Sequence, residues 1–427
     1  MLTPLLSPRH GTPEIVDTES GYEKVIDTLL QGKGPIAIDA ERASGYRYSQ
    51  RAYLIQIYRE GGGLHLIDPI PLRDSRLWQR FNTEFDQIEW VIHASTQDLP
   101  CLIEIGLRPK KLFDTELGAR IAGCPKVGLG ALAESLLELQ LAKEHSAVDW
   151  SIRPLKAEWI SYAALDVDIL LDIRDKVEQL LIDQKKLTWA MQDFSAILNS
   201  YQDYKFTDSP KSDRWRRTSG MHRVRDRLSM TIIRDLWLSR DELARELDLA
   251  PGRVLGDEAI VELALKRPDN LEEVAKVIGW RTRLESPPFN RWLKVLTSSL
   301  KTPIADQVEL RVASQSMPPI RIWREKNPLG YARLTHTRAA LIELSKQLQI
   351  PSENLITPEF VKRICWQEPP TMESDYENFV QNELTKLGAR GWQVEQVVSV
   401  IAPHLGAKEA LVVPESVEPE IESSETP

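Results

Sequence analysis

The 427-residue chain has only three cysteines, Cys101, Cys124 and Cys365, far apart and without a C-x-x-C spacing. That scarcity argues against a disulfide framework and against structural zinc, and each thiol reads as a small buried apolar residue. Long apolar runs are missing too. No segment approaches the roughly 18 consecutive apolar residues of a membrane-spanning helix. The opening MLTPLLSPRHGTPE has no basic stretch followed by an apolar one, so it does not read as a secretory signal. A cytoplasmic protein that engages no membrane is expected.

Positive charge is also in deficit, with a net charge of -9. Such a balance ordinarily counts against nucleic acid, but Glu415, Glu418, Glu420, Glu422 and Glu425 place much of it in the last residues. From Lys205 to Arg234 there are nine Lys or Arg against three Asp, a local excess suited to neutralising phosphates. A solvated linker and helix face would have the same composition.

The length implies two to four domains at the usual roughly 100 to 200 residues each. Residues 1 to 205 alternate short apolar runs with helical periodicity, the pattern of an α/β layer fold. Runs 35–40, 53–58, 64–68 and 90–93 read as strands. Leu77 to Phe85, Asp98 to Ile105, Gly130 to Leu139 and Ala157 to Leu181 read as helices. YQDYKFTDSPKSDRW, residues 201–215, reads as a linker. Beyond it the pattern is helical. LARELDLAPGRVLGDEAI (243–260) and LSKQLQIPSENLITPEFV (344–361) align at a constant offset of 101, pairing Leu243 with Leu344 and Leu255 with Ile356. This points to a repeated helical module, over 206–300 and again over 320–408. Residues 409–427, rich in Glu, Pro and Ser, read as a disordered acidic tail.

Chemistry enters at IAIDAER, where Asp39 and Glu41 interrupt an apolar strand. Residues two apart on a strand face the same way, so two carboxylates stand side by side and call for a cation between them. An all-oxygen set suits Mg²⁺ or Mn²⁺. By itself D-x-E also fits an acid pair on an edge strand. In WVIHASTQDLPCL, Asp98 falls in the first turn of a helix capped by Ser95 or Thr96, where favourable interaction with the helix dipole is the plain reading. His93, taken alone, is a hydrogen-bonded core histidine. In EWISYAALDVDILLDI, Tyr162 and Asp166 are four apart and share a helical face, with Asp166 beside an apolar stripe where an unpaired carboxylate is costly. Asp168 and Asp172 fall at other angles and read as solvated.

Together D-x-E on a first strand, H-A-x-x-Q-D-L at a helix start and Y-A-A-L-D on a late helix resemble the three motifs of the DEDD superfamily of 3′-5′ exonucleases, tyrosine subclass. The resemblance is to bacterial ribonuclease D, in an actinobacterial-like form, over residues 25 to 300. MHRVRDRLSMTIIRDLWLSRDELARELDLAPGRVL is similar to the helicase-and-ribonuclease-D C-terminal (HRDC) module. The resemblance implies a ribonuclease H-like α/β exonuclease domain, a mixed sheet flanked by helices, followed by two small all-α modules. It makes Asp39, Glu41, Asp98 and Asp166 ligands of two divalent metal ions, Mg²⁺ or Mn²⁺, and Tyr162 the hydroxyl that orients water. The implied activity is 3′-5′ exoribonuclease release of 5′-mononucleotides from structured RNA with a single-stranded 3′ end, above all precursor tRNA, with no obligate protein partner. Arg42, Arg51, His93, Arg216, Arg217, Arg223 and Arg225 are candidate nucleic-acid contacts, with Arg47, Arg214 and Arg227 beside them. Tyr201, Tyr204 and Trp215 either stack on bases or pack internally. Arg42 departs from the family, which more often has an aromatic there. Arg153, in DWSIRPL, reads as a structural ion-pair partner. The alternatives are a DNA-directed repair exonuclease and an RNA-binding scaffold with an idle exonuclease domain.

Overall fold

The structure, a computed structural model, describes residues 2–142, 148–205, 213–279, 289–310 and 317–411. The expected acidic tail lies, from residue 412 on, outside the described residues, as do 206–212 of the expected linker.

The apolar runs form strands β1 (Thr3–Leu5), β2 (Ile15–Val16), β3 (Lys33–Arg42), β4 (Ala52–Glu60), β5 (Gly63–Ile67), β6 (Trp90–Ile92), β7 (Leu112–Asp114) and β8 (Leu139–Leu141). Six of them make a mixed sheet in the order β2-β5-β4-β3-β6-β7, while β1 pairs with β8 apart from it. β3 is interior, antiparallel to β4 and parallel to β6. An interior strand reads as a continuous apolar run, and Ile36, Ala37 and Ile38 are fully buried. The register sets Asp39 opposite Gln56 and Glu41 opposite Leu54, then shifts so that Arg42 faces Ala52. Such irregularities bend a strand and re-aim its side chains. Here it falls immediately after the acid pair.

Helix Ala157–Asp168 packs against β3, β4 and β5. The apolar stretch expected as one helix to Leu181 is two, with a second helix at Leu170–Asp183. Leu139, expected at a helix end, begins β8. Glu19–Leu30, capped by the Thr18 hydroxyl, is a further helix with Tyr22, Val25, Ile26 and Leu29 turned inward.

Two compact units divide the chain. The first comprises Met1–Phe113, Leu132–Ile173 and Ser200–Ser314, and the second Asp114–Ala131, Arg174–Asn199 and Gln315–Pro427. In the first, helices Arg227–Leu247, Pro251–Val254, Asp257–Lys266, Leu271–Ile278 and Phe289–Ser299 surround a core that includes Trp215, Ile232, Leu236, Ile260 and Trp292. In the second, Pro328–Leu348, Ser352–Leu355 and Pro358–Trp366 follow the same plan 101 residues later. Even the left-handed residues ending the long helices correspond, Asp248 (φ 47°) and Gln349 (φ 51°). The second unit also uses most of the Leu187–Tyr201 helix, as far as Asn199. Trp392 stacks on Trp189 at 5.0 Å and donates its indole N–H to Asp193 (2.9 Å), which also pairs with Arg390 at 2.8 Å.

Candidate active site

The sheet and two helix termini bring the predicted acids together. Asp39 and Glu41 project from the end of β3, and Asp166 comes from the late helix that packs on that strand. Each of the three offers a carboxylate oxygen, and these oxygens all lie within 4.8 Å of one another. Asp98 sits at the N-cap of the Leu99–Glu104 helix, yet its side chain makes no capping hydrogen bond. Instead it meets Asp39 at hydrogen-bonding distance and stands 3.6 Å from the Arg42 guanidinium. The plain reading of Asp98 as a dipole-stabilising acid therefore accounts for its position on the helix but not for where its side chain goes. Tyr162 donates its hydroxyl to Asp166 one turn further along the helix.

Crowding controls the electrostatics. Burial pushes the Glu41 carboxyl well above the usual carboxylate range, and the charges of Asp39, Asp166 and Asp98 push it further. Asp39 is raised by burial, against the pull of hydrogen bonds and of His93 and Arg42. Four carboxylates thus face one close guanidinium, and the remaining repulsion is what a divalent cation removes. The donor set fits hard cations: oxygen only, convergent and too close for its charges to coexist unaided. Burial and the charges of Asp166 and Glu41 raise the Tyr162 hydroxyl above its ordinary value, so it remains a donor at neutral pH.

Two features of the site had weak or no signal in the sequence. Gln56, a lone polar residue in the apolar run of β4, is fully buried and donates to Glu41 (3.4 Å). Ala94, between β6 and the Asp98 helix, is left-handed at φ 53°, a conformation that costs a non-glycine residue of order 1–3 kcal/mol. Nothing in an alanine announces it.

The other predicted contacts lie in several places. His93 is close enough to bear on Asp39. Arg51 turns to the Ser49 hydroxyl (2.6 Å). In the basic stretch, Arg216 lies 4.3 Å over the Trp215 ring and donates to the Glu309 carbonyl, Arg223 pairs with Glu262, and Arg225 donates to the His222 and Val224 carbonyls. Arg214 and Arg217 are exposed on the same short turn. Arg227 pairs with Glu309 at 3.0 Å. Trp215 is core, and Tyr201 and Tyr204 pack edge to face on each other. Arg153 has the expected structural role, meeting Asp68 at 2.6 Å and the Tyr53 carbonyl at 2.7 Å.

Two expectations are corrected. Asp168 is not solvated but fully buried, accepting from the Arg9 backbone and guanidinium; the Asp172 side chain is solvent-exposed as expected, though it pairs with the same arginine at 2.7 Å. Cys124 is only partly buried, unlike Cys101 and Cys365.

Against known families, residues 13–182 match a 3′-5′ exonuclease domain, 229–287 an HRDC domain and 316–405 a 3′ to 5′ exonuclease C-terminal domain. Ribonuclease D of Desulfotalea psychrophila is 28% identical over 263 residues, 61% of this chain and 69% of that one. The chain is a homologue of bacterial ribonuclease D, with a 3′-5′ exonuclease domain and an HRDC domain. A solved Bifidobacterium adolescentis protein is 33% identical over 95% of this chain and all of its own, with a TM-score of 0.84. Escherichia coli RNase D, described as an exoribonuclease involved in structured RNA processing, shares the fold at 20% identity and a TM-score of 0.61, over 87% of this chain and 98% of its own. The ribonuclease D fold expected from the motifs is therefore present: an exonuclease domain with a mixed sheet, then helical HRDC and C-terminal modules. Among the described residues no helix is long and apolar enough to cross a membrane.

Proposed function

We propose that this 3′-5′ exoribonuclease works through Asp39, Glu41, Asp98 and Asp166 holding two divalent cations, Mg²⁺ or Mn²⁺, with Tyr162 aligning the attacking water. The observation that carries this reading is the convergence of Asp39, Glu41 and Asp166 oxygens within 4.8 Å, with Asp98 against Asp39. A pair of divalent ions, when bound, neutralises charge on the attacking and leaving oxygens of an in-line displacement. The protein's part is to fix the geometry. β3 delivers two carboxylates from a rigid interior strand, and the helix places Asp166 and Tyr162 one turn apart. Tyr162, kept protonated by burial and by its acidic neighbours, donates to Asp166 and offers its oxygen to the water. It orients the nucleophile and is no base. The water oxygen gives up a proton to solvent as it bonds to phosphorus, the P–O bond to the penultimate 3′ oxygen breaks, and that oxygen takes a proton from solvent, freeing a 5′-mononucleotide.

The substrate is structured RNA with a single-stranded 3′ end, precursor tRNA foremost, and the place of action is the cytoplasm. The description of the Escherichia coli relative supports structured RNA. The domain plan is an exonuclease over 1–205, helical modules over 206–300 and 320–408, and a tail over 409–427, with Arg42, Arg51 and the arginines near residue 216 contacting phosphates, which position substrate without reading sequence. The deciding experiment supplies Mg²⁺ and matched RNA and DNA labelled at the 5′ end, with Asp39→Ala and Tyr162→Phe alongside. A ladder shortening from the 3′ end in RNA and absent with Asp39→Ala is the expected result. Full activity in Asp39→Ala overturns the metal assignment, and shortening of DNA alone overturns the substrate.

A further inference from the structure

The segment 43–51 leaves β3 directly after Asp39, Glu41 and Arg42 and returns as β4 opposite them. Its first turn is closed by its own backbone, with Tyr46 and Arg47 N–H donating to the Ala43 carbonyl at 2.8 Å each. Beyond bonds internal to the segment, such as Ser44 to Gln50 and Arg51 to Ser49, it is fastened to the first helical module at several points. The Tyr48 hydroxyl donates to Asp241 (2.9 Å), and Arg245 donates to both that hydroxyl (3.3 Å) and Asp241 (3.1 Å). Ser49 N–H donates to Asp248 (3.0 Å), and Ala250 N–H donates to the Tyr46 carbonyl (3.0 Å). Arg253 donates to the Gly45 carbonyl (2.7 Å) and lies 4.2 Å over the Tyr46 ring. Tyr48 also packs on the module's core. On the side of the sheet, Arg47 donates to Ser151 (2.7 Å).

These partners are not demanded by the helical module's own architecture. At the corresponding positions 101 residues on, the second module has Ile342 for Asp241, Lys346 for Arg245, Gln349 for Asp248 and Asn354 for Arg253. It nonetheless builds the same long helix, left-handed cap and short helix. The two carboxylates and Arg253 of the first module are therefore spare as far as its helices are concerned, and all reach one loop. That loop is the connection through which any slack would reach Glu41 and Arg42 across the register shift.

We infer that the first helical module is a positioning clamp for the catalytic strand, acting through Asp241, Asp248 and Arg253 on segment 43–51, and not only a substrate-holding appendage. This rests on the proposed role of Asp39 and Glu41. Misplacing catalytic groups by about an ångström is enough to cost up to roughly a hundredfold in rate, and a loop freed at Ser49 and Gly45 gives the end of β3 that latitude.

The test uses the full chain and a single-stranded RNA too short to reach beyond the active site. Asp248→Ala should lower kcat about tenfold or more and raise the Mg²⁺ concentration for half-maximal rate, with KM for the short RNA little changed. Asp248→Asn, which retains an oxygen acceptor for Ser49 N–H, should restore most of the loss. Gln349→Ala is the matched control: it places the same alanine in the same left-handed cap of the second module and should leave kcat as it was. An Asp248→Ala enzyme with unchanged kcat overturns the clamp. So does an equal fall in Gln349→Ala, which would make the effect one of general stability. Asp39→Ala is run in parallel: if it is inactive while Asp248→Ala is fully active, only the clamp fails. If Asp39→Ala is active, the metal reading itself has failed.

Discussion

Asp166 and Asp168 are two residues apart on one helix, and what faces each of them is opposite in kind. Asp168 is buried against a cation: Arg9 supplies a backbone N–H and a guanidinium, each at 3.0 Å. Asp166 faces anions, Asp39 and Glu41, with a tyrosine hydroxyl as its neutral partner. The same contrast extends outward. Asp68 has Arg153, and Asp193 has Arg390 and an indole N–H, whereas the cluster at the end of β3 sets four carboxylates around one arginine. A fold that wanted only stability would pair the acids at β3 as it pairs the others. The site therefore gives up stability to keep a concentrated negative charge.

The largest expected effect comes from removing a crowded acid. Asp39→Ala or Asp98→Ala should lower mononucleotide release by at least roughly 10²- to 10³-fold, about 2.7–4 kcal/mol, the scale for losing one electrostatic catalytic group. In a chelator, the melting temperature of Asp39→Ala should hold or rise, because a repulsive neighbour of Glu41 is gone. A substantial fall would move Asp39 into the structural class.

Metal should reverse the destabilisation. A ligand bound only by the folded state at about 100 times its Kd adds about 2.7 kcal/mol, so saturating Mg²⁺ or Mn²⁺ should raise the melting temperature of the native chain and leave Asp39→Ala nearly unmoved. The pH dependence has a definite sign. Because the Glu41 carboxyl titrates higher in the folded than in the unfolded chain, the folded state is penalised above that raised value and relieved as protons bind below it. The metal-induced gain should therefore shrink on acidification. A gain independent of pH, measured by thermal melts across the acidic range, would break the link between metal and crowded acids.

Asp168→Asn should behave the other way, retaining kcat while losing about 1.5–3 kcal/mol, the range for hydrogen bonds to a charged group. The loss stays below that of a fully buried ion pair because the Arg9 side chain is 39% exposed and rehydrates. Denaturant melts and initial rates on the same preparation read both. A variant stable but inactive would put Asp168 in the site.

What could be read from the sequence follows this division. The crowded acids were legible because each breaks a pattern: Asp39 and Glu41 interrupt an apolar strand, and Asp166 lies beside an apolar helical stripe four residues from Tyr162. Local periodicity carries that signal. Asp168 was misread because its partner Arg9 lies 159 residues away, and helical angle alone cannot reveal a chain segment folding over it. Strands β1, β2, β7 and β8, of two or three residues each, are too short to show a period. The loop at 43–51 gave no sign of its partners, since Tyr48 and Ser49 are ordinary loop residues until Asp241 and Asp248 reach them. The repeat at an offset of 101 was legible because the buried apolar positions of amphipathic helices recur, whereas the polar residues that reach the 43–51 loop, Asp241, Asp248 and Arg253, have no like residue 101 positions on.

The smallest effect expected is at Tyr162, and it separates water alignment from metal binding. Phenylalanine keeps the ring and removes only the hydroxyl that donates to Asp166. If that hydroxyl orients the nucleophile, Tyr162→Phe should lower kcat about tenfold, near 1.4 kcal/mol, with the Mg²⁺-induced rise in melting temperature intact, since no metal ligand is lost. If it served as a base, its titration would appear in the rate profile. Burial and the acids around it hold it protonated, so native and Tyr162→Phe enzymes should instead show parallel pH profiles through neutrality. Profiles that diverge there would assign the hydroxyl to proton transfer.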